Sequence, residues 1–215
     1  EAGPRLLPPF KPSLSEKTAD SLKKLGVEVL LKRNVSRVKS NKIVFKDGKE
    51  IDSDITIWTA GVKGETTAAK LRLPYERGRV TTSKTLQVEK YPYIFAIGDI
   101  SGATDSNGNF LPMVAPVAMQ QGKFLANQIK KMSRGENLEI FKYRDKGSMA
   151  TIGRHKAVVQ FRKFGISGWV AWYAWLWLHL FYLLGGRNKL GTMADWTWNY
   201  LTFDRSNRHI IDLKE

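Results

Sequence analysis

The chain has 215 residues, 42% hydrophobic and 26% charged, enough for one or two domains with a real core. It contains no cysteine, which excludes a disulfide framework and any cysteine-based metal or redox centre, and its three histidines (His155, His179, His209) are too scattered to form a metal motif. Its net charge of +15 points to an anionic partner: nucleic acid, an acidic lipid surface or a polyphosphate cofactor.

The first residues, Glu1-Ala2-Gly3-Pro4-Arg5, read as the exit of a strand, without a starting methionine. They raise the expectation that the chain is the C-terminal half of a longer protein. Residues 3–12 hold four of the eight prolines and predict an extended connector. A helix is predicted over 13–25, with Ser13 or Ser15 as its cap, with Leu14, Ala19, Leu22 and Leu25 at helical spacing, and with Gly26 as its end. Residues 27–31 read as a short strand. Residues 34–38 and 42–45 read as meander strands, with Asp47-Gly48 as a hairpin turn. A further strand, Ile55-Thr56-Ile57-Trp58, leaves through Ala60-Gly61. Strand, helix, meander and strand make up the second half of a dinucleotide-binding unit, although no Gly-x-Gly-x-x-Gly fingerprint is present. Residues 61–79 are loop-rich, and residues 85–88 form the next predicted strand.

The most informative stretch is Tyr93-Ile94-Phe95-Ala96-Ile97-Gly98-Asp99, a short buried strand ending in Gly-Asp. Glycine lets backbone approach a ligand closely, and the aspartate offers an acceptor for a ribityl or ribose hydroxyl. Such an ending is suited to hold a flavin, and it is also the composition of many ordinary turns. Beyond it, Ala115-Pro116-Val117-Ala118-Met119-Gln120-Gln121-Gly122 runs into a helix that continues to Met132. Pro116 suits a first helical turn. The partial positive charge of that N-terminus, aimed at the pyrimidine edge of a flavin, would stabilise its anionic reduced form.

Residues 146–153 and 157–161 predict two strands joined by a basic turn. From Phe164 to Gly186, 23 residues carry no Lys, Arg, Asp or Glu, and Trp169, Trp172, Trp175 and Trp177 fall within nine residues. Arg162-Lys163 precede the segment and Arg187 and Lys189 follow it. A membrane-spanning helix, a buried core or dimer helix, and a helix lying in the membrane interface all compete for it. Indoles along the whole helix, with basic flanks, favour the interface and an anionic lipid surface. A second amphipathic helix is predicted over 190–203. Nucleic acid is disfavoured as partner, because a stacking platform would interleave aromatic and basic residues.

In order and spacing, these motifs resemble the C-terminal half of type II NADH dehydrogenases, the single-subunit NADH:quinone oxidoreductases. The resemblance covers nearly the whole chain. It implies an α/β fold, part of a two-dinucleotide-binding-domain, Rossmann-like flavoprotein, with a C-terminal amphipathic helical membrane-anchoring region. The implied boundaries are 1–58 for the second half of the NADH-binding domain, 59–140 for the C-terminal part of the FAD-binding domain and 141–215 for the anchor. Gly98 and Asp99 match the second flavin-contacting motif. Ala115, Pro116, Val117 and Ala118 match the stretch over the isoalloxazine, and Lys146 matches a lysine near the flavin N5 edge. Glu1, Ala60 and Gly61 match NADH-binding positions. Gln120, Gln121 and Met149 fall on the quinone side, with Gln120 and Lys146 as the implied catalytic pair. The usual motif is Ala-Gln-x-Ala-x-Gln, and Pro116 stands where its first glutamine would be, which puts a quinone contact there in doubt.

The implied reaction is FAD-dependent, non-proton-pumping oxidation of NADH with electrons passed to a membrane quinone. The implied protein is a homodimer, monotopic on the cytoplasmic face of a bacterial inner membrane, with no metal. Without both glycine fingerprints, these 215 residues alone are expected to show little turnover. The competing readings are another flavin-dependent pyridine nucleotide oxidoreductase and a membrane-peripheral binding module without activity. Sulfide:quinone oxidoreductases share the architecture but need cysteines, which this chain lacks.

Overall fold

Helix α1 (Pro12–Lys24) starts one residue earlier than its serines suggest. Pro12 presets the helical φ of the first turn, and no side chain caps that end. Instead the Lys11 N–H donates to Gln160 Oε1 at 2.7 Å. The other end closes as a Schellman turn. Gly26 adopts φ +80°, its N–H donates to the Lys23 carbonyl at 3.0 Å, and the Val27 N–H reaches the Leu22 carbonyl at 3.0 Å.

A computed structural model describes residues 1–59, 61, 62, 64 and 70–202. They divide into two compact units, residues 1–54 with 147–202, and residues 55–146. The first and third of the expected segments therefore contribute to one unit.

In the first unit, β1 (Val35–Val38), β2 (Lys42–Phe45) and β3 (Glu50–Asp52) form the predicted antiparallel meander, turning at Gly48 with φ +82°. The strand expected over 27–31 does not form. Instead the Leu30 carbonyl accepts from the Glu1 backbone nitrogen, and just beyond the segment the Lys32 N–H donates to the Gly3 carbonyl, both at 3.0 Å. A second antiparallel sheet has the order β10-β9-β8, from β8 (Ser148–Gly153), β9 (Lys156–Phe161) and β10 (Phe164–Gly168). Leu14 of α1 and Phe10 just before it pack on Val158 of this sheet, with Ala150 and Ile152 around them. Burying these apolar side chains is what holds α1 to the sheet.

The uncharged segment is not helical throughout. Its first five residues form β10, because Gly165 and Gly168 disfavour helix and Gly165 sits against Leu14, where a Cβ would lie 2.9 Å from Leu14 Cδ1. Helix α3 (Trp169–Tyr182) then runs for 14 residues, about 21 Å, and α4 (Gly186–Thr202) follows. Among the described residues no helix is long and apolar enough to cross a membrane.

The second unit holds two short antiparallel pairs, β4 (Tyr75–Glu76) with β5 (Arg79–Val80) and β6 (Gln87–Val88) with β7 (Tyr91–Phe95), followed by helix α2 (Ala115–Met132). One core gathers Val80, Val88 and Ala96, and another gathers Leu86, Ala103, Leu111 and Val117. The strand expected over 55–58 is absent. Ile55 and Ile57 are 80% and 81% exposed and lie outside the strands. Likewise Tyr93 and Ile94, expected to be buried, lie open on β7. Both runs have the apolar composition of central strands in a parallel sheet, but among the described residues the first belongs to no strand and β7 is met by the two-residue β6 alone.

Gly147, which opens the β8 hairpin, combines φ +85° with a Cβ position 2.3 Å from the Gln160 carbonyl oxygen. Gly108 has φ +81° and open space around it. Gly108→Ala should therefore lower stability by about 1 kcal/mol, and Gly147→Ala by about 3 kcal/mol because backbone must also move. Urea unfolding followed by circular dichroism measures the difference.

Candidate functional site

In the second unit the chain leaves β7 through buried Ala96 and an extended Ile97 (φ −132°, ψ 162°), then turns sharply. Gly98 takes φ +75°, a conformation that penalises any Cβ, and begins a single 3-10 turn over Gly98–Ile100. The Ser101 N–H closes the turn on the Gly98 carbonyl at 3.0 Å. A Cβ on Gly98 would meet Ala118 Cβ at 3.8 Å, an ordinary contact, so backbone conformation rather than space calls for glycine here. Asp99 lies exposed at this turn, and among the described residues nothing hydrogen-bonds its carboxylate.

Helix α2 packs against the turn. Val114 is extended ahead of it, and its carbonyl receives the N–H groups of Val117 at 3.0 Å and Ala118 at 3.3 Å. Pro116 occupies the first turn, as predicted. Ala115 is exposed, Pro116 and Ala118 are half-buried, and Val117 points into the core with Leu86, Ala103 and Leu111. Gln121 is 1% exposed: its Oε1 accepts the Gly98 N–H at 2.7 Å and its Nε2 lies 3.5 Å from Ser101 Oγ. Its amide is thus turned into the protein under the turn, away from solvent.

Gln120 behaves differently. Its Nε2 donates to the Arg144 carbonyl and its Oε1 accepts the Arg144 N–H, both at 3.0 Å. This pair fixes the segment that leads to Lys146, together with the Phe141 N–H on the Lys84 carbonyl at 2.8 Å. Within that segment the Tyr143 hydroxyl accepts the Lys146 backbone N–H. Met149 is half-buried on β8, in the other unit. Glu1 is exposed, with Oε1 accepting the Gly3 N–H at 2.7 Å. Gly61 has φ +100° and its N–H meets the Thr59 carbonyl at 3.0 Å; Ala60 lies outside the described residues.

Sequence reasoning missed Arg79. Its Nη1 donates to the Leu111 carbonyl at 2.5 Å and lies 3.5 Å from that of Ser101, while its guanidinium sits 5.2 Å from the centre of the Phe110 ring. Partial burial pulls its pKa down and the charge of Asp99 pushes back. Arginine stays protonated regardless, so a fixed cation stands near the Asp99 carboxylate. No signal in the sequence singled it out, because its acceptor at Leu111 lies 32 residues away.

In the first unit, α3, α4 and β8 enclose an open cavity of about 720 Å³, lined by Trp172, Trp175, Leu176 and Trp196 among others. His155 in the β8–β9 turn lies 5.0 Å from the Trp172 ring and 5.1 Å from that of Tyr200. Arg154 donates to the carbonyls of Asn199 and Tyr200, both at 3.3 Å, near the C-terminal end of α4. Of the four tryptophans expected at lipid, Trp169 and Trp177 are 65% exposed, whereas Trp172 and Trp175 are half-buried, with their rings against His155 and His179.

Residues 1–122 match the family described as pyridine nucleotide-disulphide oxidoreductase, and residues 146–205 match the NDH2 C-terminal domain. The chain is 37% identical to the type II NADH:quinone oxidoreductase Ndh of Mycobacterium tuberculosis, over 99% of this chain and 47% of that protein. It is 32% identical to the type II NADH:quinone oxidoreductase of Haemophilus influenzae, over 98% and 48%. The chain thus spans about half the length of the curated relatives it matches. In fold it is similar to NDH2 from Plasmodium falciparum in complex with NADH, with a TM-score of 0.83 at 17% identity, covering 98% of this chain and 58% of that one. A sulfide:quinone oxidoreductase from Aquifex aeolicus follows at 0.65 and 13% identity, covering 95% and 53%. The chain belongs to the pyridine nucleotide-disulphide oxidoreductase family, and within it corresponds to the C-terminal half of the type II NADH:quinone oxidoreductases.

Burial and the nearby Asp145 charge raise the pKa of Tyr143. The folded state therefore holds this proton more tightly than the unfolded chain. Its contribution is full below the ordinary tyrosine pKa of about 10 and is lost as pH rises through the higher folded value. Tyr143→Phe should flatten the fall in Tm between pH 9 and about 11 relative to the parent, measured by thermal unfolding at a series of pH values.

Proposed function

We propose that the whole protein oxidises NADH and reduces a membrane quinone with the help of FAD, without pumping protons. The observation that carries this reading is the joint presence, in one chain, of the Gly98–Asp99 turn with its uncommitted carboxylate and a domain of the NDH2 C-terminal type.

The residues present fit FAD. Gly98 offers backbone free of a side chain, and Asp99 offers an acceptor for a ribityl hydroxyl. Bound there, FAD would take up two electrons from NADH and hand them on to the quinone, so that NADH, a proton and quinone become NAD⁺ and quinol. Asp99 holds and orients the cofactor. The start of α2 at Ala115 and Pro116 supplies a partial positive charge that favours the reduced state. Ala118 packs beside Gly98. Lys146 stabilises negative charge that develops during transfer, and Gln120 serves it by fixing the Arg144 backbone. Met149 belongs to the quinone side of this reading, and Glu1, Ala60 and Gly61 to the NADH side.

The C-terminal region brings the enzyme to its lipid-borne substrate. Exposed Trp169 and Trp177 enter the headgroup boundary of one leaflet, and the basic excess attracts anionic lipid. The protein works as a homodimer on the cytoplasmic face of a bacterial inner membrane, where NADH is supplied.

The test uses the full-length protein in detergent without oxygen. NADH should bleach its visible flavin band and a short-chain quinone should restore it. A colourless protein, or a band that NADH leaves unchanged, overturns the dehydrogenase reading and favours a membrane-binding module. In vesicle sedimentation, the double variant Trp169→Ser/Trp177→Ser should bind anionic vesicles about tenfold or more weakly at unchanged Tm, and added salt should weaken the parent as well. Unaltered binding of the double variant removes these indoles from the membrane contact.

A further inference from the structure

We propose that Gln121 is a positioning residue that sets how tightly, and at what potential, the Gly98–Asp99 turn holds its flavin. This inference rests on the reading that the turn binds FAD.

Gly98 needs an unusual conformation, φ +75°, and something must select it. The side chain of Gln121 reaches both ends of the turn: Oε1 lies 2.7 Å from the Gly98 N–H, and Nε2 lies 3.5 Å from Oγ of Ser101. Ser101 is itself buried, and its Oγ accepts the Ala103 N–H at 3.3 Å. The Gly98 N–H has Gln121 as its partner, so removing the amide would leave a partly buried donor unpaired, and the turn would relax to satisfy it elsewhere. Relaxation redirects the Asp99 side chain, which follows directly in the chain. It also uncouples the turn from α2, on which Gln121 sits two helical turns from the start. The cofactor must then order the turn as it binds, and affinity falls accordingly. The partial charge at the start of α2 favours the reduced, more negative form, so loosening its tie to the turn weakens that form more than the oxidised one. The potential therefore falls.

Helix α2 carries its own control. Gln128 lies seven residues further on the same face, is 0% exposed, and accepts the Glu139 N–H at 2.7 Å. It holds the loop after α2 through its acceptor alone.

The experiment compares Gln121→Met, Gln121→Glu and Gln128→Met in the full-length protein. Methionine keeps the volume and removes the amide; glutamate keeps an acceptor for the Gly98 N–H. Measured by titrating apoprotein with FAD, Gln121→Met should raise the dissociation constant about 10- to 100-fold. Its midpoint potential should drop by about 30 mV for each tenfold by which the reduced form loses more affinity than the oxidised form. Gln121→Glu keeps the acceptor but brings a negative charge to a buried site, so it should recover part of the affinity and none of the potential. Gln128→Met should lower Tm and leave affinity and potential unchanged. A parent that carries FAD together with a Gln121→Met variant of equal affinity and potential overturns the inference and leaves the flavin reading standing. Equal losses in Gln121→Met and Gln128→Met also overturn it, since both would then report packing alone. A parent that binds no FAD overturns the flavin reading and the inference together.

Discussion

The second unit depends on side-chain amides of one helix answering backbone groups that have no strand to pair with. Gln121 meets Gly98, Gln120 meets Arg144 through both its donor and its acceptor, and Gln128 meets Glu139. Each of these backbone positions lies in a turn or loop, where an unpaired N–H would be costly once partly buried. Neutral glutamine suits the task better than a charged residue, because it can be buried without a counter-ion and offers both bonding senses in one group. The arrangement fixes the Gly98 turn and the residues leading to Lys146 from a single rigid element.

A different solution holds the first unit. There a three-stranded antiparallel sheet and α1 bury a small aliphatic cluster around Val158, and α4 meets the sheet through the two-residue turn Arg154-His155. The Arg154 cation on the last carbonyls of α4 suits the negative end of that helix. The rings of His155, Trp172 and Tyr200 pack around it. Trp172 and Trp175 thereby become part of the fold, while Trp169 and Trp177 stay outside it. The four tryptophans thus differ in exposure in a way that their spacing in the sequence does not reveal.

What the sequence made legible was local. The meander, the β8–β9 hairpin, Pro116 at the start of α2 and the end of α1 at Gly26 all follow from periodicity and turn chemistry, which act over a few residues. What it concealed was pairing at a distance. Residues 27–31 have strand composition but form none, with the Leu30 carbonyl taken by Glu1, and residues 55–58 read as a strand but lie open, because pairing depends on a neighbour that composition does not name. The same holds for the site. Gly98 and Asp99 stand out in sequence, whereas Arg79 is one arginine among many until Leu111, 32 residues away, accepts from it. Gln120 and Gln121 are neighbours in sequence, and helical geometry sends one to Arg144 and the other beneath Gly98.

The length of α3 decides how the C-terminal region can meet a membrane. Fourteen residues span about 21 Å, against roughly 30 Å of hydrocarbon, so this helix is too short to cross. Its flanks are basic and its exposed surface carries Trp169, Trp177 and Phe181. Indole rings lose least free energy at the headgroup boundary, with the ring in the apolar layer and the N–H near water. A short helix of this composition, tied to a folded sheet by β10 on one side and by α4 on the other, is suited to lie along a surface rather than to enter it end first.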